Sequence, residues 1–354
     1  MKFNTGILFM GLIGLINLFG CKSEPKALPD QVQEAVAIAD ENPGGSTYAV
    51  TLDGKPLKEM PEPDSVKLQN KAKLDASRNF YLGHLDDVKS YVSYGAQNLK
   101  SGYVENAIQL LSKGIEQFPN TSDLYLYRGI AFVQGRQFGP AVNDFWKAGK
   151  AVEGQKDVKG MLEKTEIEKK INASMHYEIY KWMGLAFQCQ NDFPNAEKMF
   201  EVCGDFSNNS DLYCMAYYWQ YQAYSRSGRI QDAKNILSSA DPKMFIMPVT
   251  KPYLDALLYL KGDIKESELV DLDKLPTSSE EAMGWTVKAY ALALKAELAG
   301  ATEKQIQLLE KITSSAYWNQ MAYIAAEADL HRLKGFQYEE MKAKELKSNG
   351  KRNQ

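Results

Sequence analysis

Three histidines and four cysteines are the side chains of this 354-residue chain best suited to hold a metal or to act as nucleophiles. His84, His176 and His331 lie far apart, and none has a second His or Cys at the spacing a metal site uses on a turn or a helix face. Each is expected to pack or to face water. Glu280-Glu281 and Glu339-Glu340 are neighbours in sequence. On a helix such neighbours point about 100° apart, so neither pair serves as a general acid and base. There is no Gly-rich phosphate loop and no Gly-x-Ser-x-Gly elbow. Tyr213, Tyr217, Tyr218, Tyr221 and Tyr224 would suit sugar stacking, but their helical spacing suits packing better. No catalytic residue, metal or cofactor is expected, and the chain is not expected to be an enzyme. Beyond Cys21 the cysteines are Cys189, Cys203 and Cys214, an odd number that makes no disulfide framework. Cys203 suits a small buried position, and it pairs with Cys214 only if the fold brings the two Cα atoms within ~7 Å.

Cys21 has a different setting. Lys2 precedes an apolar run from Ile7 to Phe19, short of the ~20 residues a membrane-spanning helix needs. The run closes on Leu18-Phe19-Gly20-Cys21. These four residues resemble the bacterial lipobox, with Phe19 bulkier than the usual residue at its place. The resemblance implies cleavage after residue 20 and a diacylglycerol on Cys21, with fatty chains such as palmitate. Buried methylenes each add ~0.8 kcal/mol, so two or more chains hold a protein on a bilayer. Lys22 follows the cysteine, which does not signal inner-membrane retention. The expected location is therefore the bacterial cell envelope, lipid-anchored at the outer membrane, on its periplasmic or its surface face.

The elements that would carry any site fall into two materials. Loss of residues 1–20 removes Lys2, so the formal charge of −3 becomes −4, which argues against a nucleic-acid partner. Residues 21–75 carry Pro25, Pro29, Pro43, Pro56, Pro61 and Pro63 of the 13 prolines, and are predicted to be an extended tether. Within it, Ser46–Leu52 alternates and Asp53-Gly54 turns a small hairpin back through Leu57. From about residue 76 the pattern is helical and periodic. Tyr91 and Tyr125, Gly95 and Gly129, Ala107 and Ala141, Leu111 and Phe145, and Gly114 and Ala148 are each 34 residues apart. Two further units follow, one around Tyr180, Gly184, Ala196, Phe200 and Cys203, the other around Tyr217, Tyr221, Ala233 and Leu237.

This period and these residues resemble the tetratricopeptide (TPR) signature, in which small residues let two helices approach and aromatics fill the gaps. The expectation is an all-α fold, a right-handed α-solenoid of about six to seven TPR-like hairpins over 76–345. The best repeats are 88–121, 122–151, 177–208 and 214–242, with degenerate pairs over 252–345 ending in a polar cap. The insertion Val152–Asn172 is predicted to lengthen the helices beside it into an exposed arm.

The TPR resemblance also implies a concave groove lined by the second, fifth, ninth, twelfth and thirteenth places of each unit. The residues so placed as a partner-binding groove are Val92, Ala96 and Leu99 in the first unit and Leu126, Ile130 and Val133 in the second. The third contributes Lys181, Leu185 and Gln188, and the fourth Tyr218, Gln222 and Arg226. The Lys/Asn clamp of chaperone-binding TPR domains is absent. The order of parts resembles TPR outer-membrane lipoproteins that act as adaptors for envelope hydrolases and proteases. The function this implies is a membrane-tethered scaffold binding an envelope protein or peptide in its groove. The groove's other candidate occupants are the tether itself, over residues 46–63, or a second copy in a homodimer. The alternative function is an uptake accessory that binds a solute on the aromatic patch.

Overall fold

In the computed structural model, residues 33, 35–37, 48–156 and 158–335 are described. The lipobox with Cys21 lies outside them. Glu339 and Glu340 do as well.

Four helix hairpins form the body: α2 (Val88–Lys100) with α3 (Val104–Gln117), and α4 (Ser122–Gln134) with α5 (Phe138–Ala151). Beyond an insertion come α7 (Met175–Cys189) with α8 (Phe193–Asp205), and α9 (Ser210–Arg226) with α10 (Ile230–Ser239). One packing relation repeats in the first three. A Cβ added at Gly95 would lie 2.7 Å from Leu111 Cδ2, at Gly129 2.5 Å from Phe145 Cε1, and at Gly184 2.6 Å from Phe200 Cε1. The first helix gives up its side chain so that the second can seat a large one. In the fourth unit Tyr221 holds the glycine's place and the smaller Leu237 the large residue's. Ala107, Ala141 and Ala196 are fully buried and Ala233 is 4% exposed, marking the second close approach. The turn inside each hairpin passes through the left-handed region at one equivalent place: Gly102 (φ 85°), Arg136 (60°), Asn191 (62°) and Gly228 (77°). Glycine and asparagine take that conformation at little cost, arginine does not. The fold is thus the expected TPR-like α-solenoid.

Two expectations are corrected, and a third falls partly outside the described residues. Helix begins well before residue 76, because α1 (Asp64–Gly83) follows directly on Pro63. Proline is tolerated just outside a helix start, so Pro61 and Pro63 mark its boundary and not a tether. The insertion does not lengthen its neighbours. It folds back through the short α6 (Glu166–Ile171), capped by Thr165, with Met161 N donating to Asp123 Oδ1 (2.7 Å) and Lys164 Nζ to Ala173 O (2.5 Å). The third concerns the C-terminal region. After α11 (Lys251–Lys261), the single turn α12 (Glu266–Leu269), α13 (Ser279–Leu298) and α14 (Thr302–Thr313), one helix, α15 (321–335), completes the described chain. It is no polar cap. Tyr323, Ile324, Ala325, Ala326, Glu327, Ala328, Asp329 and Leu330 are consecutive and all buried, so protein surrounds the helix. Its four alanines, Ala322, Ala325, Ala326 and Ala328, keep it thin enough to be enclosed.

The strap before α1 closes the structure. Its hairpin pairs β1 (Ala49–Val50) with β2 (Pro56–Leu57), antiparallel, in register Ala49 to Leu57. Leu52 N donates to Glu327 Oε1 (2.7 Å), Trp318 Nε1 to Lys58 O (2.8 Å) and Tyr317 OH to Pro61 O (2.8 Å). Glu62 accepts from Ser279 N (3.1 Å) at the start of α13. The ring of Tyr48 stacks on Tyr103 of the first unit, centroids 5.2 Å apart. One short segment therefore joins the first repeat to the last helices.

Candidate functional site

The residues expected to form an open groove are mostly covered by the chain itself. Val92, Val133, Leu185, Tyr218 and Gln222 are fully buried, and Leu99, Leu126, Ile130 and Gln188 are no more than 9% exposed. Ala96 and Lys181 are half-buried, the latter in a 2.7 Å pair with Glu178. Helices α13 and α15 account for much of this. Tyr218 OH donates to Val287 O (2.8 Å), and the Arg226 guanidinium sits 2.6 Å from both Glu297 Oε2 and Asp329 Oδ2. Tyr290 OH completes the cluster, 2.6 Å from Asp329 Oδ2. Two repeats earlier, Arg136 Nη2 pairs with Glu327 Oε2 at 2.6 Å, its guanidinium between the rings of Trp318 and Tyr323. The open groove is corrected at these positions. Ion pairs and small side chains seat the chain's own helices there. The elements in contact with Tyr218, Arg226 and Arg136 are α13 and α15, neither of which is the tether or the second copy named as other occupants above.

A hollow remains at the amino-terminal end of the stack. A cleft of ≈ 670 Å³ lies between α1, the α2–α3 turn and the strap. That volume falls within the ~300–1,000 Å³ usual for binding pockets. Helix α1 explains why it is there. From Asp64 to Ala76 no side chain is buried, and only Val66, Asn70 and Leu74, one stripe at four-residue spacing, touch the body. The helix is held at its far end by Ser77 and Tyr81, whose ring meets Tyr91 and Tyr94. It is held at its near end through Glu62.

Along α1 the lining is Lys67, Asn70, Lys71, Leu74, Asp75 and Arg78. Opposite stand Tyr94, Asn98, Lys100, Ser101, Tyr103 and Asn106, with Tyr48, Glu59, Met60 and Glu62 from the strap. Lys100 occupies the thirteenth place of the first unit, so the cleft is the part of the concave side left open. Both charge signs are present. Lys71 pairs with Asp75 at 2.8 Å, and that hydrogen bond holds its ammonium above the usual range. Lys67 reaches Glu59 only at 4.0 Å, and Lys100 has no ion pair among the described residues. Burial, then the charge of Tyr103, pushes the Tyr48 phenol well up, so its hydroxyl stays a neutral hydrogen-bonding group. Such a lining binds by hydrogen bonds, charge and ring contact. Sequence reasoning missed this site because its walls come from three separated segments. The readable trace was the stripe of Val66, Asn70 and Leu74 just after two prolines.

The other candidates fall into packing roles. His176 is buried, its Nε2 3.1 Å from Val152 O and its ring stacked on Phe206. His84 is exposed, and His331 Nδ1 lies 2.6 Å from Asp53 Oδ1. Cys189, Cys203 and Cys214 are free thiols. Among the described residues no three His, Cys, Asp or Glu side chains are grouped to hold a metal, and no helix is long and apolar enough to cross a membrane. Of the tyrosine run, Tyr218, Tyr221 and Tyr224 are core, while Tyr213 and Tyr217 reach the surface.

No protein-family model and no curated protein matches the chain. Among solved structures it is similar to MamA, with 13% identity over 62% of this chain and 100% of that one, TM-score 0.39. It is also similar to YrrB, described as a TPR protein with an unusual peptide-binding site, with 14% identity over 74% and 99%, TM-score 0.38. The TPR domain of P58(IPK) is similar at 12% identity over 87% and 99%, TM-score 0.22. The repeat geometry rests on the glycine and alanine contacts above and not on these likenesses.

Proposed function

We propose that the chain is a membrane-tethered scaffold, anchored through Cys21 at the outer membrane, that holds an extended polar segment of an envelope protein in the cleft beneath α1. The supporting observation is the contrast between the two halves of the concave side. Helices α13 and α15 occupy one, and the other is a ≈ 670 Å³ hollow lined by charges of both signs, amides and three tyrosines. An extended peptide satisfies such a lining through its backbone and alternating side chains.

Crosslinked pulldown from membranes tests this. The wild-type chain should retain an envelope protein that is lost with Lys100→Glu and with Tyr103→Ala, while circular dichroism stays unchanged. Equal retention by all three chains contradicts the cleft as the binding place. The stacked Tyr48 and Tyr103 rings beside Asn70 also suit a sugar ring, which favours the uptake reading. In that case a saccharide raises the melting temperature and no protein is retained.

A further inference from the structure

Phe245 is 90% exposed, the most of any large apolar side chain among the described residues, ahead of Leu68 at 70%. It stands in the connection 240–250 between α10 and α11, with Met244, Ile246 and Met247 half-buried around it. The connection is held firmly. The Asp211 carboxylate accepts from Met247 N (2.9 Å) and from Thr250 Oγ1, Asp241 Oδ1 accepts from Lys243 N (2.8 Å), and Lys261 Nζ caps Ala240 O (2.8 Å). A phenyl ring held in water on a fixed loop has no folding purpose, since it gains nothing by burial.

The surroundings indicate what it meets. Between Asp241 and Asp255 there is no acidic residue; Lys243 is exposed beside the apolar tip, while Lys251 is paired with Asp255. Tyr213 and Tyr217 flank it on α9, their rings 5.6 Å apart, joined to the loop where Cys214 Sγ meets Met244 Sδ at 4.0 Å. An apolar tip, two tyrosines beside it and an exposed lysine supply the kinds of group that meet acyl chains, headgroups and lipid phosphates. The 27 residues from Cys21 to Tyr48 span at most roughly 90 Å, so an anchored chain keeps Tyr48 within that distance of the bilayer.

We infer that residues 243–249 are a membrane-resting wedge, with Phe245 entering the acyl boundary and Lys243 against lipid phosphates. The wedge would set which face of the tethered stack looks away from the membrane. This rests on the membrane-surface reading, but its test does not need the anchor.

The full mature chain with Cys21→Ser, which cannot be acylated, is sedimented with vesicles of phosphatidylethanolamine containing a minority of phosphatidylglycerol. It should bind, Phe245→Ser should bind about tenfold more weakly, and Phe245→Leu should retain binding. The F245W chain should show blue-shifted emission, beyond that of the five native tryptophans, that brominated lipid quenches. Equal binding by wild type and Phe245→Ser, no binding by wild type, or unquenched F245W emission overturns the wedge. Capture of Phe245 by a protein pocket instead of lipid gives the second of these. Failure of acylation at Cys21 in cells would sink the anchor and leave the vesicle result as it stands.

Discussion

Arg136 Nη2 and Glu327 Oε2 lie 2.6 Å apart although the residues are separated by 191 positions. Glu327 also accepts from Leu52 N at 2.7 Å, so one carboxylate joins the second repeat, the strap and the last helix. Arg136 does this from a left-handed turn where the other repeats use glycine or asparagine. A non-glycine residue there costs ~1–2 kcal/mol.

Arg136→Gly sets these terms against each other. The glycine relieves the turn, but breaking a buried pair leaves Glu327 uncompensated at ~3–5 kcal/mol. The expected outcome is a net loss of ~2 kcal/mol in denaturant unfolding. A more stable Arg136→Gly chain would mean the ion pair contributes nothing.

Gly129→Ala poses a similar contest inside α4. Alanine is the better helix former by up to about 1 kcal/mol, yet its Cβ would stand 2.5 Å from the ring of Phe145, which is fully buried. Overlap wins, with an expected loss of about 1–3 kcal/mol. Gly139→Ala, with nothing within 4 Å, should be neutral or stabilising. Equal thermal shifts for the two would refute the close approach.

Two contacts near the strap should differ sharply. Asp53 and His331 are both about half exposed, so Asp53→Ala should change stability by less than ~1 kcal/mol. Trp318 is 2% exposed and donates to Lys58 O, so Trp318→Ala should cost ~3–5 kcal/mol. Urea midpoints decide between them.

Alkaline stability follows from the buried acids. Burial, with the charge of Asp211 second, pushes the Cys214 thiol from 9.0 up to about 12, and burial with Glu327 pushes Tyr323 from 10.0 up to about 12. The folded state keeps these protons while the unfolded state loses them. Their contribution is therefore whole below pH 9 and declines from there towards pH 12. The denaturation midpoint should be flat with respect to these groups from pH 7 to 9 and fall above it. A midpoint unchanged at pH 10.5 would contradict their burial.

The repeats were legible because Gly95, Gly129, Gly184 and the four alanines announce close approach in their identity alone. The enclosure of helix α15 was not, since Glu327 and Asp329 are received by Arg136 and Arg226, more than a hundred residues away in sequence. Helix α1 was hidden by Pro61 and Pro63, which signal a tether as readily as a helix boundary. The cleft needed all three at once, so no local pattern could give it.

The central claim is that the concave side is closed by the chain's own helices and that partners enter at the cleft. Photocrosslinking tests it most directly, with benzoylphenylalanine at position 100 in the cleft and at position 146, where Trp146 is half exposed on the body. The expected result is an envelope-protein adduct from position 100 and none from position 146. An adduct from position 146 alone would place the partner elsewhere and contradict the account.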